Sequence, residues 1–234
     1  MSNELSMPTI ALVNSKGGVG KSTTAVHFSS WLKKRRKRVM LIDADAQVSS
    51  SRWLDNRESN IEYLAFTDPN QILDSMPKLA EKTDFLIVDA PAGMVETTRA
   101  ILLRANLAVC PCQPTTLDTD STEQTLQLIK QAQSVRDGQP YALLVLSKAQ
   151  RNTKAKKDAL HWIKQSGFHW LTSCIHQRQI FTQLYDKGLT ILYDKGLTIW
   201  DFENSVSPAN QASAEYEVVF NSILNWGELC LRKT

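Results

Sequence analysis

The sequence predicts an α/β fold, a doubly wound and mainly parallel sheet flanked by helices. Short and almost purely apolar runs alternate with segments of helical length, and the first run leads into a glycine-rich loop. Strands that helices cover on both faces show no polar alternation, because neither face meets water. The apolar runs are residues 10–13, 39–42, 85–88, 107–110 and 141–146.

Segments of helical length follow the strands. They include residues 22–35, 118–136 and 153–166. This strand–helix order predicts parallel strands joined by right-handed crossovers. Ligands of such sheets bind beyond the carboxyl ends of the strands. Four residues stand at those ends, namely Asn14, Asp43, Asp89 and Pro111.

Length and charge narrow the class of protein. The 234 residues suffice for one large domain, so we expect a single domain over 1–234. A net charge of +3 and a pI of about 8.6 permit nucleic-acid binding through a local patch without requiring it. No segment has a signal-peptide layout, and no apolar run approaches the roughly 20 residues of a membrane span. We therefore expect a cytoplasmic protein.

The loop after the first strand reads Ser-Lys-Gly-Gly-Val-Gly-Lys-Ser-Thr over residues 15–23. Its glycines allow backbone N–H groups to face a triphosphate. Lys21 is placed to reach the β- and γ-phosphates, and the Ser22 hydroxyl is placed to bind Mg²⁺. The predicted nucleotide-binding residues here are Lys16, Gly17, Gly18, Val19, Gly20, Lys21, Ser22 and Thr23.

Residues 16–22, Lys-Gly-Gly-Val-Gly-Lys-Ser, resemble the deviant Walker A box of the ParA/MinD family of ATPases. Ser15 stands where the usual P-loop has glycine, and Lys16 adds a second positive charge. The resemblance implies ATP and Mg²⁺ as cofactors and catalytic roles for Lys16 and Lys21. It also implies that Lys16 contacts the nucleotide of a second subunit, which makes ATP the link of a homodimer.

Two carboxylates follow the second strand, in Asp43-Ala44-Asp45-Ala46-Gln47. The segment resembles the family's switch I, with Ala46 in place of proline. This implies that Asp45 positions the attacking water and that Asp43 lies in the outer shell of Mg²⁺. The alternative is turn chemistry, since aspartates readily cap the next helix.

Residues 85–89, Phe-Leu-Ile-Val-Asp, match a Walker B strand, so Asp89 joins Ser22 and Asp43 as a predicted Mg²⁺ residue. Residues 90–93 occupy the switch II position. Residues 111–118 resemble the proline-containing loop that lies near the base in ParA-like ATPases, which implies a nucleotide contact for Pro114. A plain strand-to-helix connection is the alternative.

Basic residues are concentrated in two places. The run at 33–38 follows a predicted helix, where cations complement the helix dipole. In the helix near Thr153, Lys154, Lys157 and His161 share one face, whereas Ala155, Ala159, Trp162 and Ile163 form the buried one. Arg178 matches an arginine-containing segment of ParA-like proteins. Because the ParA branch binds DNA without sequence preference, Lys154, Lys157 and Arg178 are candidates for DNA binding.

Residues 207–232 predict a C-terminal helix with Ser207 as N-cap and Pro208 at its first position. Its apolar stripe comprises Ala212, Tyr216, Val219, Phe220, Ile223 and Cys230. The stripe has two interpretations, a membrane-binding face as in the MinD branch or docking on the protein's own core. Few lysines or arginines flank it, which favours docking, and we expect no stable membrane association.

Two further features of the sequence are assigned no catalytic or binding role. Cys110, Cys112, Cys174 and Cys230 lack zinc spacing, which favours structural thiols. Residues 184–191 and 192–199 are identical copies of Leu-Tyr-Asp-Lys-Gly-Leu-Thr-Ile, and a recent duplication is favoured over a functional repeat.

The resemblance implies a bacterial, nucleoid-associated ATPase that hydrolyses ATP slowly and positions cargo. The cargo is a low-copy plasmid with an adaptor of ParB type, or a protein organelle such as the carboxysome with its own adaptor. Other members of the fold suggest three alternatives. These are a MinD-like membrane-cycling ATPase, a NifH-like iron–sulfur carrier that would use Cys110 and Cys112, and a biosynthetic ATP-dependent ligase.

Overall fold

The structure, a computed structural model, describes residues 9–55, 61–178, 197–202 and 207–231. Its sheet contains seven strands in the order β3-β2-β4-β1-β5-β6-β7, and each neighbouring pair is parallel. The strands are β1 Thr9–Leu12, β2 Val39–Asp43, β3 Glu62–Ala65, β4 Phe85–Asp89, β5 Leu107–Cys112, β6 Tyr141–Leu146 and β7 His169–Trp170. The predicted α/β class with a parallel sheet is confirmed.

Helices cover both faces of this sheet. They are α1 Lys21–Lys34, α2 Ser49–Asp55, α3 Pro69–Ala80, α4 Val95–Leu102, α5 Thr116–Val135, α6 Lys154–Gln165 and α7 Ser207–Leu231. Alternate residues of one strand serve opposite layers, so Ile10 and Leu12 pack with α1, α2 and α7, whereas Ala11 packs with α3 to α6. This division follows from the two-residue period of a strand.

The apolar runs predicted the five inner strands, but they did not predict the two edge strands, β3 and β7. β3 is largely exposed and β7 has two residues, one of them an exposed histidine. An edge strand has one neighbour and needs no apolar run. Helix α3 was not named among the predicted helical segments. It begins at Pro69, after Asp68, whose carboxylate caps the helix by accepting a hydrogen bond from the Gln71 N–H at 2.8 Å.

Helix α7 packs into the core against α1. Tyr216, Val219, Phe220 and Ile223 are buried, and the ring of Phe220 stacks on Phe28 with centroids 4.6 Å apart. Cys230 is half-buried, and residue 232 lies outside the described part. Burial of the apolar stripe is the arrangement expected for docking on the core. None of the described helices is long and apolar enough to cross a bilayer.

The short 3₁₀ helix Ile199–Phe202 and the two residues before it dock on α1 and α2. Trp53 Nε1 donates to the Leu197 carbonyl at 2.9 Å. The Ile199 N–H donates to His27 Nε2 at 3.2 Å, and Trp200 Nε1 donates to the His27 carbonyl at 3.2 Å. The duplicated octapeptide otherwise lies outside the described residues. Leu197 and Ile199, from the end of the second copy, and Trp200, which follows it, therefore supply these docking contacts.

Removal of eight residues from the duplication is expected to leave the protein folded. Deletion of either copy produces the same sequence, in which Leu-Thr-Ile still precedes the tryptophan. The docking contacts are thus retained, and shortening the connection between the described segments by eight residues changes the free energy of chain closure by well under about 1 kcal/mol. Thermal unfolding followed by near-ultraviolet circular dichroism should show a midpoint within about 4 °C of the original. A drop of about 10 °C or more would show that both copies contribute to stability.

Candidate nucleotide-binding site

The loop between β1 and α1 has the backbone that its glycines predict. Gly18 and Gly20 have φ values of +77° and +98°, which residues with a side chain rarely adopt. Gly20 stands directly before α1, whose N-terminus therefore faces the loop. The loop forms one wall of a cleft of about 560 Å³, and Asp45 and Met94 line the other side.

Side chains at the carboxyl ends of β5 and β6 hold two carbonyls of this loop. The Gly18 carbonyl accepts hydrogen bonds from Gln113 Nε2 at 2.8 Å and from Lys148 Nζ at 2.5 Å. The Val19 carbonyl accepts one from the Ser147 hydroxyl at 2.7 Å. These contacts fix the peptide planes of the loop before any anion binds. Gln113, Ser147 and Lys148 were not among the predicted site residues. Ser147 and Lys148 follow the predicted strand 141–146 directly, which offered a signal, whereas Gln113 stands three residues beyond the predicted end of β5.

Lys21 lies inside the loop rather than on its surface. Its side chain is buried, and its Nζ donates to the Lys16 carbonyl at 2.9 Å. Burial lowers the pKa of Lys21, whereas Asp89 and Asp45 raise it. A phosphate in the cleft would replace the missing solvation of this ammonium group. Lys16, the second predicted lysine, is half-buried in the same loop.

Asp89 ends β4 as a fully buried carboxyl group. Its Oδ2 accepts a hydrogen bond from the Ser50 hydroxyl at 2.5 Å, and its Oδ1 has no partner among the described residues. Burial raises the pKa of Asp89 to about 7, although Ser50, Ser22 and Lys21 act in the opposite direction. An unpartnered buried oxygen close to the Ser22 hydroxyl fits Mg²⁺, which prefers oxygen ligands. Asp89 and Ser22 are thus the residues that would hold the metal.

Asp43 lies beside Asp89 on the neighbouring strand, in register with it. Both of its oxygens already accept backbone hydrogen bonds, from the Ser51 N–H at 2.8 Å and from the Asp45 N–H at 3.2 Å. Burial raises the pKa of Asp43, and these hydrogen bonds lower it. The geometry therefore shows Asp43 shaping the turn after β2, while an outer-shell role toward the metal stays a prediction.

Asp45 projects into the cleft from the loop after β2. Its Oδ1 accepts a hydrogen bond from the Gln47 N–H at 2.9 Å, and its Oδ2 accepts one from the Ala92 N–H at 3.3 Å. The loop that follows β4 is joined to the glycine-rich loop as well, through Gly93 N–H and the Ser15 carbonyl at 3.0 Å. Three loops thus meet around the carboxylate of Asp45.

Pro114 lies in the connection between β5 and α5, next to Gln113, which binds the Gly18 carbonyl. β5 continues through Cys112, two residues beyond its predicted end, and α5 begins at Thr116. The structure thereby places Pro114 beside the glycine-rich loop. Its contact with a nucleotide base stays a prediction.

Comparison with known proteins assigns this arrangement to a family. A sequence model described as the CobQ/CobB/MinD/ParA nucleotide binding domain (CbiA) matches residues 10–191. That match spans the sheet from β1 to β7 and every residue of the cleft described above. The chain belongs to the ParA/MinD family.

Relatives in this ParA/MinD family include a protein named for carboxysome distribution and a protein named ParA. Maintenance of carboxysome distribution protein A of Halothiobacillus neapolitanus is 29% identical over 191 residues, which is 78% of this chain and 86% of that protein. Protein ParA of Rhizobium radiobacter is 29% identical over 133 residues, which is 56% of this chain and 60% of that protein. The chain is thus a ParA/MinD-like nucleotide-binding ATPase by family.

Solved structures show the same ParA/MinD fold. The ATP complex of a Cyanothece McdA variant superposes with a TM-score of 0.73 at 15% identity, covering 94% of this chain and 96% of that one. MinD of Pyrococcus horikoshii with Mg-ADP superposes with a TM-score of 0.66 at 17% identity, covering 89% and 93%. At these identities the comparison shows the fold alone.

The candidate DNA-binding residues of this ParA/MinD chain fall into two groups. Lys154 and Lys157 are exposed in the first turns of α6. Arg178 is held by Glu215, and 13% of its side chain is exposed. The predicted buried face of α6 is correct at Ala159 and Ile163 but wrong at Ala155, which lies exposed in the first turn.

Cys110 and Cys112 are buried within β5. Burial raises the pKa of the Cys110 thiol to about 12, so it stays protonated at neutral pH. A cluster bridging two subunits would require exposed thiolates. The positions of both cysteines therefore favour the structural role over the iron–sulfur alternative. Among the residues that the structure describes, no group of three or more metal-binding side chains occurs.

Proposed function

We propose that this chain is a ParA-type ATPase that forms an ATP-dependent homodimer, binds nucleoid DNA and positions cargo through an adaptor. The observation that carries the proposal is a two-lysine phosphate loop whose Lys21 lines one cleft with Asp45. Lys21 binds the carbonyl of Lys16, so both residues belong to one compact loop, and Asp45 stands across from them.

The residues of the cleft divide the work of phosphoryl transfer. Lys21 and the N–H groups of the loop bind and orient the phosphates. Asp45, held by Gln47 and Ala92, orients the attacking water. Ser22 and Asp89 would hold Mg²⁺, and the bound metal would supply positive charge to the phosphate oxygens. Lys16 adds a cation to the triphosphate of a facing subunit, so hydrolysis removes the charge that holds the dimer together.

A relative named for carboxysome distribution supports the cellular role. The match to the carboxysome distribution protein covers more of this chain than the match to Protein ParA, 78% against 56%. A protein organelle of carboxysome type is therefore the favoured cargo. A low-copy plasmid with a ParB-type adaptor is the second candidate. Slow hydrolysis that the adaptor stimulates serves either cargo, because it sets when the dimer leaves DNA.

The membrane-cycling alternative requires an exposed apolar helix. In α7 the stripe around Tyr216, Val219 and Phe220 is buried, so this helix cannot present it to lipid without leaving the core. Co-sedimentation with DNA and with anionic liposomes, each with ATP, separates the two functions. Sedimentation with liposomes alone would contradict nucleoid binding.

Lys16→Met is expected to abolish ATP-dependent dimerisation while nucleotide binding is retained. The substitution removes the cation that a facing triphosphate needs, but Lys21 and the loop N–H groups stay in place. Light scattering after size exclusion with a non-hydrolysable ATP analogue should give a dimer for the original protein and a monomer for the variant. Lys37→Met, at an exposed position of the basic run, is the control and should dimerise normally. Equal dimerisation of the Lys16→Met variant would exclude the shared-lysine dimer.

A further inference from the structure

One carboxylate of α7 gathers basic side chains from two other parts of the chain. Glu215 accepts hydrogen bonds from Arg178 Nε at 3.1 Å, from Arg178 Nη2 at 2.5 Å and from His176 Nδ1 at 2.8 Å. Arg151, from the loop before α6, approaches the same carboxylate at 3.8 Å. We call Glu215, His176, Arg178 and Arg151 the Glu215 cluster.

The hydrogen bonds fix the charge of each member. Lys156 Nζ lies 3.3 Å from His176 Nε2, and an ammonium group can only donate, so Nε2 accepts and Nδ1 carries the hydrogen given to Glu215. Burial alone would raise the pKa of Glu215, but hydrogen bonds from Arg178 and His176 outweigh it and lower the pKa. Glu215 is therefore an anion beside two guanidinium cations, those of Arg178 and Arg151, and the cluster retains an excess of positive charge.

Arg178 is fully engaged within the chain. Besides the two bonds to Glu215, its Nη1 donates to Gln211 Oε1 at 2.8 Å, so all three guanidinium nitrogens donate to groups on α7. Its side chain is 13% exposed, whereas that of Arg151 is 70% exposed. A phosphate could bind Arg151 directly but would have to displace Glu215 to bind Arg178.

The cluster continues into the basic surface of α6. Lys156 joins it through His176, and Lys154 and Lys157 lie exposed in the same first turns. Backbone hydrogen bonds tie the segment to the loop after β6, since the Gln177 N–H donates to the Ala149 carbonyl at 3.0 Å. Arg178 thus belongs to a segment that contacts the start of α6 through His176 and Lys156. Its pairing with Glu215 determines whether its charge is available to a ligand there.

We propose that Glu215 withholds the charge of Arg178 from nucleic-acid phosphates and so keeps the DNA affinity of this surface low. Arg151, Lys154 and Lys157 make the phosphate contacts, and Arg178 joins them only when the charge of Glu215 is removed. The inference rests on the proposed binding of DNA. Under this proposal Arg178 does not contact DNA directly. Its guanidinium group is paired with the carboxylate of Glu215, which occupies the place that a DNA phosphate would take. Weak binding of this kind suits an ATPase that must leave the nucleoid repeatedly.

Glu215→Gln tests the proposal, because it keeps the size of the side chain and removes its charge. DNA affinity is measured with a random-sequence duplex and a non-hydrolysable ATP analogue at several salt concentrations. We expect the variant to bind about tenfold more tightly at low salt, with the slope of log K against log salt steeper by about one. Glu217→Gln is the matched control on α7, since Glu217 pairs with Arg35 at the C-terminal end of α1. This control should change neither the DNA affinity nor the salt slope.

The outcomes separate this inference from the function on which it rests. If the original protein binds no DNA, the proposed DNA binding fails and the inference fails with it. If the original protein binds DNA and Glu215→Gln matches it in affinity and slope, only the inference is wrong. If Glu217→Gln binds DNA more tightly instead, the DNA-binding surface lies at the basic run 33–38, and the inference about Glu215 is wrong.

A second variant keeps the test valid if Glu215→Gln does not fold, which thermal melting would reveal. Arg178→Gln combined with Glu215→Gln removes both charges of the pair at once, so the double variant should keep the DNA affinity of the original protein within about twofold. Lys154→Gln, which removes an exposed cation, should weaken binding and reduce the salt slope by about one. A loss in the double variant equal to that of Lys154→Gln would overturn the proposal.

Discussion

Asp45→Asn is expected to lower the rate of ATP hydrolysis by about 100-fold or more, while ATP binding is retained. A positioned carboxylate typically contributes a factor of about 10² to 10⁴ when it orients or deprotonates a nucleophile. The amide keeps the size of the side chain, and its oxygen can still accept from the Gln47 N–H, so only the longer hydrogen bond from the Ala92 N–H at 3.3 Å is lost. Phosphate release under single-turnover conditions measures the rate, and fluorescence titration with a labelled ATP analogue measures binding.

Asp68→Asn is the control for this substitution. Asp68 caps α3 by accepting from the Gln71 N–H, and asparagine caps helices about as well. The control should therefore hydrolyse ATP at the original rate. A rate for Asp45→Asn within threefold of the original would remove Asp45 from the reaction and would leave its hydrogen bond to the Ala92 N–H as its role.

Phe220→Ala is expected to lower the free energy of unfolding by about 3–5 kcal/mol, the usual cost of removing a buried aromatic side chain. Phe220 is fully buried and contacts the rings of Phe28, Trp31 and Tyr216. Its loss would open a cavity between α7 and α1 that these large rings cannot refill. Urea unfolding followed by tryptophan fluorescence measures the change, since Trp31 lies next to Phe220.

Val218→Ala on the same helix is the matched control. The side chain of Val218 is 53% exposed, so its removal should change the free energy of unfolding by no more than about 0.5 kcal/mol. Similar effects from the two substitutions would mean that α7 does not pack on the core as described. That result would reopen the membrane-binding interpretation of its apolar stripe.

The inner part of the fold was predictable because its signals are local. Each inner strand is buried on both faces and therefore appears as an apolar run, as residues 141–146 show. The edge strands β3 and β7 lack this signal because solvent meets one side of them. The single-domain organisation of residues 1–234 and the roles assigned to individual site residues stay predictions.

The phosphate loop was predictable in the same way, but the side chains that hold its carbonyl groups were not. Glycine at 18 and 20 reports a local backbone requirement, which the positive φ values meet. Gln113 and Lys148 bind the Gly18 carbonyl from 95 and 130 residues away. No spacing rule along the chain connects residues so far apart, because the sheet order brings β5 and β6 to the side of the loop.

Residues close together in the chain were enough to predict the parallel sheet, the two-lysine phosphate loop and the carboxylates that end β2 and β4. The packed structure instead sets which charges are available. It buried Lys21 and Asp89, occupied both oxygens of Asp43, and paired Arg178 with Glu215, 37 residues along the chain. Charge depends on burial and on partners in space, and these are fixed only when the helices pack on the sheet.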